Sequence, residues 1–264
     1  MTNDLLVTIA DGVAVLTMNR PEAMNAMSTP MMEALTDTVR DCATNPDVGC
    51  VVLTGAGRAF CAGGDVKGMA GRADAAPPPL EDRVRDLRRR MDVSRLLHEI
   101  AKPTIAMVNG VAAGAGLSMA LACDLRYAAR SARMTTAFAK VAYSGDFGGS
   151  YFLTRIVGTA RARELYYLSE MLDSARMEQL GLANKVFDDA TFVAETMAIA
   201  KRLAAGPRVT LGYMKRNFNV AEDGTLEEAF DTEAFGHSRT GETEDHKEAT
   251  KAFVEKRTPV FRGR

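Results

Sequence analysis

Residues 102–134 read KPTIAMVNGVAAGAGLSMALACDLRYAARSARM, and their order decides the fold class. Pro103 opens the stretch, and Thr104 to Val108 form an apolar run that suits a buried strand. A glycine cluster, Gly110 to Gly116, follows. From Gly114 to Cys123 every residue is small or apolar, with no proline and no β-branched side chain, which predicts a helix packed very closely on its neighbours. Leu125 to Ala128 and then Met134 to Phe138 read as further short strands. Strand, glycine turn, helix and strand in this order define an α/β fold.

The same grammar extends upstream. Gly49 to Gly55 is an apolar run closed by glycines, a second buried strand, and it leads into RAFCAGGDVKGM at residues 58–69. Val7 and Ile9, then Asp11-Gly12, then Val13 and Val15 predict two strands joined by a tight turn. The loop NRPEAMNAM (19–27) precedes a helix in which Thr29 is the expected cap, Pro30 suits the first turn, and Met32, Leu35, Val39 and Cys42 share a face. Asn45-Pro46-Asp47 should end it. Residues 70–82, with Pro77 to Pro79, read as a mobile loop or lid. A helix is expected over 83–101, with Arg83, Arg85, Arg88, Arg89 and Arg90 crowded at its start as a solvated face or, alternatively, a phosphate patch. Beyond residue 158 the pattern is helical throughout, over 160–170, 174–181, 190–206, 207–220 and 225–252. The shift to helices alone near residue 200 divides the chain into a core, 1–200, and a helical C-terminal region, 201–264.

Composition narrows the function. The 264 residues carry 33 basic and 34 acidic side chains, a net charge of −1, so no global field recruits nucleic acid or an anionic membrane. No apolar run approaches the roughly 20 residues of a bilayer span, and the start MTNDLLVTIADG lacks a signal-peptide pattern. Cys42, Cys50, Cys61 and Cys123 lie far apart without a CxxC pair, as expected of reduced thiols in a cytoplasmic protein. His98, His237 and His246 lack ligand spacing, so no metal is expected.

Two segments remain to be explained: Cys61-Ala62-Gly63-Gly64-Asp65 and Gly110 to Gly116. Glycine lets backbone approach a ligand closely, and a helix start leaves N–H groups unpaired and partly positive. Together they can form a two-amide pocket for a developing oxyanion. Tight strand–helix packing explains the same glycines. Neither segment is a phosphate P-loop or a GxGxxG dinucleotide fingerprint.

Five ordered stretches carry a family resemblance: NRPEAMNAM (19–27), VVLTGAGRAFCAGGDVKGM (51–69), residues 102–134, GDFGGSYFLTRIVG (145–158) with GLANKVF (181–187), and FVEKRTPVF (253–261). On these the chain resembles the crotonase, or enoyl-CoA hydratase/isomerase, superfamily over nearly its whole length. VNGVAAGAG (108–116), AARSAR (128–133), the Asp146 loop and KRTPVF (256–261) look most like the branch of 1,2-epoxyphenylacetyl-CoA isomerases. The resemblance implies a spiral of strand–strand–helix turns with a helical C-terminal region for oligomerisation and cover of the CoA pocket. It implies trimers, often paired into hexamers, and an acyl-CoA thioester substrate, with no cofactor beyond that coenzyme A moiety. The oxyanion amides carry over to Gly64 and Ala115. The coenzyme moiety would lie along Ala23, Met24, Ala62, Asp65, Val66 and Lys67, with Lys256 and Arg257 as candidates for phosphates, on a neighbouring subunit's ligand.

Hydratases of this superfamily place two glutamates above the acyl chain; the matching positions here are Ser118 and Phe138. One acid remains at a family catalytic position, Asp146, whose plainer role would be to cap the following helix. The resemblance favours an acyl-CoA isomerase in which Asp146 shuttles a proton between carbons while two amides hold the enolate, with Phe138 and Tyr143 as walls. The alternatives are a hydratase with an atypical base, and direct attack by Asp146 as in the superfamily's dehalogenases, whose histidine and tryptophan positions are Met91 and Phe138 here. A non-catalytic acyl-CoA binder or a nucleic-acid-binding relative has only the arginine run in its favour.

Overall fold

The computed structural model describes residues 3–65 and 77–264. Strand β1 (Leu5–Ala10) turns into β2 (Val13–Met18) through Asp11 and Gly12, both at positive φ (51° and 76°), the left-handed pair that a two-residue hairpin turn requires. Helix α1 (Thr29–Thr44) is capped by Ser28, not Thr29: the Ser28 hydroxyl accepts the Met31 N–H at 3.1 Å, because Ser28 holds the extended backbone of a cap while Thr29 is already helical. Its inner face carries Met31, Met32, Leu35, Val39 and Cys42, all in the core. Leu35 is wholly enclosed, so truncating it to Ala would cost about 2–5 kcal/mol.

Strands β3 (Cys50–Gly55), β4 (Ala59–Cys61), β5 (Thr104–Val108), β6 (Val111–Ala113), β7 (Leu125–Ala129) and β8 (Arg133–Thr135) come in consecutive pairs. The first member of each pair joins one sheet and the second member the other. The order β1-β2-β3-β5-β7-β10 builds the six-stranded sheet, where β10 is Lys185–Phe187. The order β4-β6-β8-β9, with β9 at Leu172–Asp173, builds the four-stranded one. Pairing is parallel from β2 to β10 and from β4 to β8, and antiparallel at β1–β2 and β8–β9. The chain thus winds as a two-layered spiral, and β3 and β5 are buried along their whole length, as their unbroken apolar runs require.

Helices α2 (Leu80–Arg90) and α3 (Asp92–Glu99) replace the single helix expected over 83–101; it starts earlier and breaks at Met91. Glu81 and Asp82 sit in the first turn of α2 and Arg88 to Arg90 in its last, matching the helix dipole at both ends. Arg83, Arg85, Arg88 and Arg89 are a solvated face, with Arg85 on Asp82 and Arg89 on Asp86, while Arg90 is half-buried with its Nε enclosed. The expected lid over 70–82 falls largely outside the described residues. Helix α4 (Ala115–Ala122) is buried at all eight positions. Gly116 makes that possible, since any side chain there would collide with the Cys61 carbonyl.

Strand β8 stops at Thr135, short of the expected end at Phe138, which begins a 3-10 turn (Phe138–Val141) after Ala137 at positive φ. Helices α5 (Gly149–Val157), α6 (Thr159–Leu168), α7 (Ser174–Gln179), α8 (Phe192–Ala204), α9 (Arg208–Asp223), α10 (Leu226–Gly241) and α11 (Glu244–Val254) follow. The region beyond 158 is not purely helical, because β9 and β10 complete the two sheets. The single helix expected over 225–252 is two, since Thr243 caps a new start by accepting the His246 N–H at 3.1 Å. The four cysteines are buried and free. Among the described residues no helix is long and apolar enough to cross a membrane, and no cluster of metal-ligating side chains occurs.

Candidate active site

Two asparagine side chains, Asn25 buried and Asn109 half-buried, fix the first glycine loop. Asn25, fully enclosed and at φ 56°, donates to the Ala56 and Ala59 carbonyls at 2.9 and 2.8 Å, and its own Oδ1 accepts the Arg20 N–H at 2.9 Å. Asn109 donates to the Gly57 and Ala59 carbonyls at 2.9 and 3.2 Å from the other side. The turn 55–61 is therefore clasped between the NRPEAMNAM loop and the end of β5, which sets the path of Ala62 to Asp65.

That path brings the two glycine segments together. Met27 N–H donates to the Gly63 carbonyl at 2.8 Å, and Met27 bridges Gly64. The peptide between Gly63 and Gly64 is trans, so its N–H points opposite to that carbonyl, away from Met27 and toward the side where β4 pairs with β6. A side-chain carbon on Gly63 would stand 2.7 Å from the Ala113 carbonyl and 3.4 Å from the Ala115 nitrogen. Ala115 is the first residue of α4, so its N–H has no partner within the helix. Gly114, at φ 53° and ψ −125°, turns the chain from β6 into that helix, a conformation suited to glycine. The amides of Gly64 and Ala115 thus belong to backbone segments in direct contact, and neither donates within the protein among the described residues.

Asp146 lies one turn of the spiral further on, in the loop before α5. It does not cap α5 with its side chain: the Gly149 N–H bonds to the Asp146 backbone carbonyl at 3.1 Å, while the carboxyl Oδ1 is enclosed without a hydrogen-bond partner. Burial holds this carboxyl up at about 6, against 3.8 for an ordinary aspartate. Gly145 and Gly149 flank it, and both abut Tyr166 of α6. A side-chain carbon on Gly145 would stand 3.0 Å from that ring and 3.3 Å from its hydroxyl, and one on Gly149 would collide with both the Tyr166 hydroxyl and the Ser118 Oγ. Phe138 stacks on Tyr166, centroids 5.7 Å apart at 20°, and its ring edge also lies against Gly114. Ser118, on α4 one turn after Ala115, spends its hydroxyl on the Gly114 carbonyl at 3.2 Å. Asp146, Tyr166, Ser118 and Phe138 therefore gather around the start of α4.

Of the coenzyme-contact candidates, the described ones cluster. Ala23 ends a 3-10 turn, Met24 is left-handed at φ 52°, and the Met24 carbonyl accepts the Ala62 N–H at 3.0 Å. Asp65 pairs with Arg20 at 3.5 Å. Val66 and Lys67 lie outside the described residues. Lys256 and Arg257 follow α11; Arg257 makes a fork with Glu248 at 2.6 and 2.9 Å and a bond to Glu255 at 2.7 Å, so its charge is already matched. Tyr143, expected as a wall of the acyl site, is 60% exposed. Sequence reading missed Tyr166. The glycines on both sides of Asp146 were the available signal, since they leave room for a large ring.

The family described as enoyl-CoA hydratase/isomerase matches residues 8–264. The chain is 36% identical over its full length, and the full length of the relative, to 1,2-epoxyphenylacetyl-CoA isomerase of Escherichia coli (strain K12). It is 33% identical to (E)-benzylidenesuccinyl-CoA hydratase of Thauera aromatica, over 97% of each chain. Among solved structures, an enoyl-CoA hydratase from Polaromonas sp. JS666 superposes with a TM-score of 0.90 at 32% identity, covering 97% of this chain and 99% of that one.

Proposed function

The chain belongs to the enoyl-CoA hydratase/isomerase family of acyl-CoA enzymes, and from that premise we propose that it is an isomerase in which Asp146 is the proton-transferring group. Gly64 and Ala115 N–H would bind the thioester oxygen. As the α-carbon loses its proton, that oxygen gains charge, so two preorganised amides lower the barrier most where the charge is largest. Asp146 would take the proton at one carbon and return it at another along the enolate, moving a double bond from β–γ to α–β or opening a strained ring. A carboxyl poised near 6 serves both steps better than one near 3.8, because it is ionised enough to accept and basic enough to hold.

The observation that carries this reading is the enclosed, unpartnered Oδ1 of the half-buried Asp146 carboxyl beside the start of α4. Water addition needs a group to activate water. The two positions that carry hydratase glutamates hold a serine spent on a backbone carbonyl and a phenylalanine stacked on tyrosine. The coenzyme moiety would run along Ala23, Met24, Ala62 and Asp65, and residues 201–264 would serve assembly, as a homotrimer or a dimer of trimers, and pocket cover. Phe218, Phe230, Phe235 and Phe253, exposed on α9 to α11, support the assembly role. The test is a panel of thioesters: 3-enoyl, 2-enoyl and ring-epoxide acyl-CoA esters. A double-bond shift or ring opening without 3-hydroxyacyl-CoA from the 2-enoyl ester is expected; faster hydration than isomerisation would overturn the assignment.

A further inference from the structure

Two polar atoms in this enclosure have no partner: Asp146 Oδ1 and the Tyr166 hydroxyl. Asp146 has a proposed task and Tyr166 has none. Leaving a phenol enclosed and unbonded is unfavourable, a cost that a phenylalanine at the same place would avoid. Nothing in the packing needs the oxygen, since the ring alone makes the stack on Phe138 and fills the space that Gly145 and Gly149 vacate. The nearest group, Ser118 Oγ, gives its own hydrogen to the Gly114 carbonyl and, though close enough to act on the phenol's proton affinity, forms no hydrogen bond of normal geometry with it.

We propose that Tyr166 is a specificity-determining residue whose hydroxyl donates a hydrogen bond to an oxygen carried by the acyl group, beside the carbons that Asp146 serves, so that the preferred substrates are acyl-CoA thioesters oxygenated on the acyl chain. The phenol keeps its proton throughout, because burial and the neighbouring Asp146 carboxylate push it up to about 12, so it acts as a donor at any working pH. A hydrocarbon chain would leave the hydroxyl unpaired, whereas a chain oxygen relieves that cost. Sites built to bond a substrate oxygen discriminate against analogues lacking it for this reason. Ser118 adds a second polar edge but is committed; Tyr166 is the donor with a free hydrogen.

The inference rests on the Asp146 reading for its kinetic form but not for its binding form, and the experiment separates them. Turnover of 3-hexenoyl-CoA and 5-hydroxy-3-hexenoyl-CoA is compared in the wild type and in Tyr166→Phe. Binding of the unreactive hexanoyl-CoA and 5-hydroxyhexanoyl-CoA is measured by calorimetry in parallel. The wild type should favour the hydroxylated member of each pair. Tyr166→Phe should lose about tenfold on that member, the equivalent of one hydrogen bond, while the plain member changes less than about twofold. A wild type indifferent to the oxygen, or a Tyr166→Phe variant that keeps the preference or loses equally on both members, overturns the proposal. If neither 3-enoyl ester isomerises but the binding preference vanishes in Tyr166→Phe, the isomerase reading fails and the Tyr166 assignment stands.

Discussion

Asp124 and Asp146 are the same side chain put to opposite ends. Asp124, between α4 and β7, has one oxygen fully engaged: Lys215 of α9 reaches its Oδ2 at 2.9 Å, and the Thr104 N–H and hydroxyl donate to the same atom at 2.7 and 3.1 Å. Lys215, only 8% exposed, spends its remaining hydrogens on the Leu97 and Lys102 carbonyls. This constellation ties the C-terminal helices to the spiral. Asp146 has an enclosed oxygen with no partner at all, and only burial acts on its proton affinity. Polar groups that hold a fold together satisfy one another, whereas an unsatisfied ionisable group whose proton affinity burial alone has shifted is a candidate for work on a ligand.

The contrast can be broken most forcefully at Asp146 itself. Asp146→Asn should lower kcat by about 10²–10⁴, the usual worth of a positioned general base, with the melting temperature unchanged or raised at neutral pH. Next comes the opposite pole of the site. Ala115→Pro removes one N–H at the first position of α4, where proline is tolerated, and should cost about 10²–10³ in kcat with helix content retained by circular dichroism. Lys215→Met reverses the pattern. It strands Asp124 and should destabilise the protein by about 3 kcal/mol in denaturant titrations, since the carboxylate keeps 27% of its side chain exposed, while kcat per folded molecule is unchanged. An activity loss without a stability loss at Lys215 would erase the distinction drawn here.

The smallest effect is in pH. The folded Asp146 value, about 6, lies above its unfolded value near 3.8, so the native state holds this proton more tightly. Its stabilising contribution is complete below about 4 and is lost as pH rises through about 6. Asp146→Asn should therefore gain on the wild type in thermal stability between pH 4 and pH 7, and isomerisation by the wild type should rise through pH 6 and then level.

Much of this was legible in the residues. The buried runs 50–55 and 104–108, the Asp11-Gly12 turn and the all-small helix after Gly114 each follow from local chemistry, and the five motifs carried the family. What escaped were features decided by tertiary neighbours. Residues 185–187 are short and mixed in character, and they become a strand only because β7 offers an edge. Ser28 rather than Thr29 caps α1 because the turn before it fixes which residue is still extended. Tyr166 reads as an ordinary position in a helix, and its meaning depends on two glycines about twenty residues earlier in the chain.

The central claim is that one enclosed carboxyl moves the proton between carbons. Its most direct test follows solvent deuterium into the acyl carbons of 3-hexenoyl-CoA in heavy water by mass spectrometry, comparing the wild type with Asp146→Asn. The wild type should label the α- or γ-carbon during turnover, and the Asn variant should label neither above background. Labelling by Asp146→Asn at the wild-type rate would contradict the account.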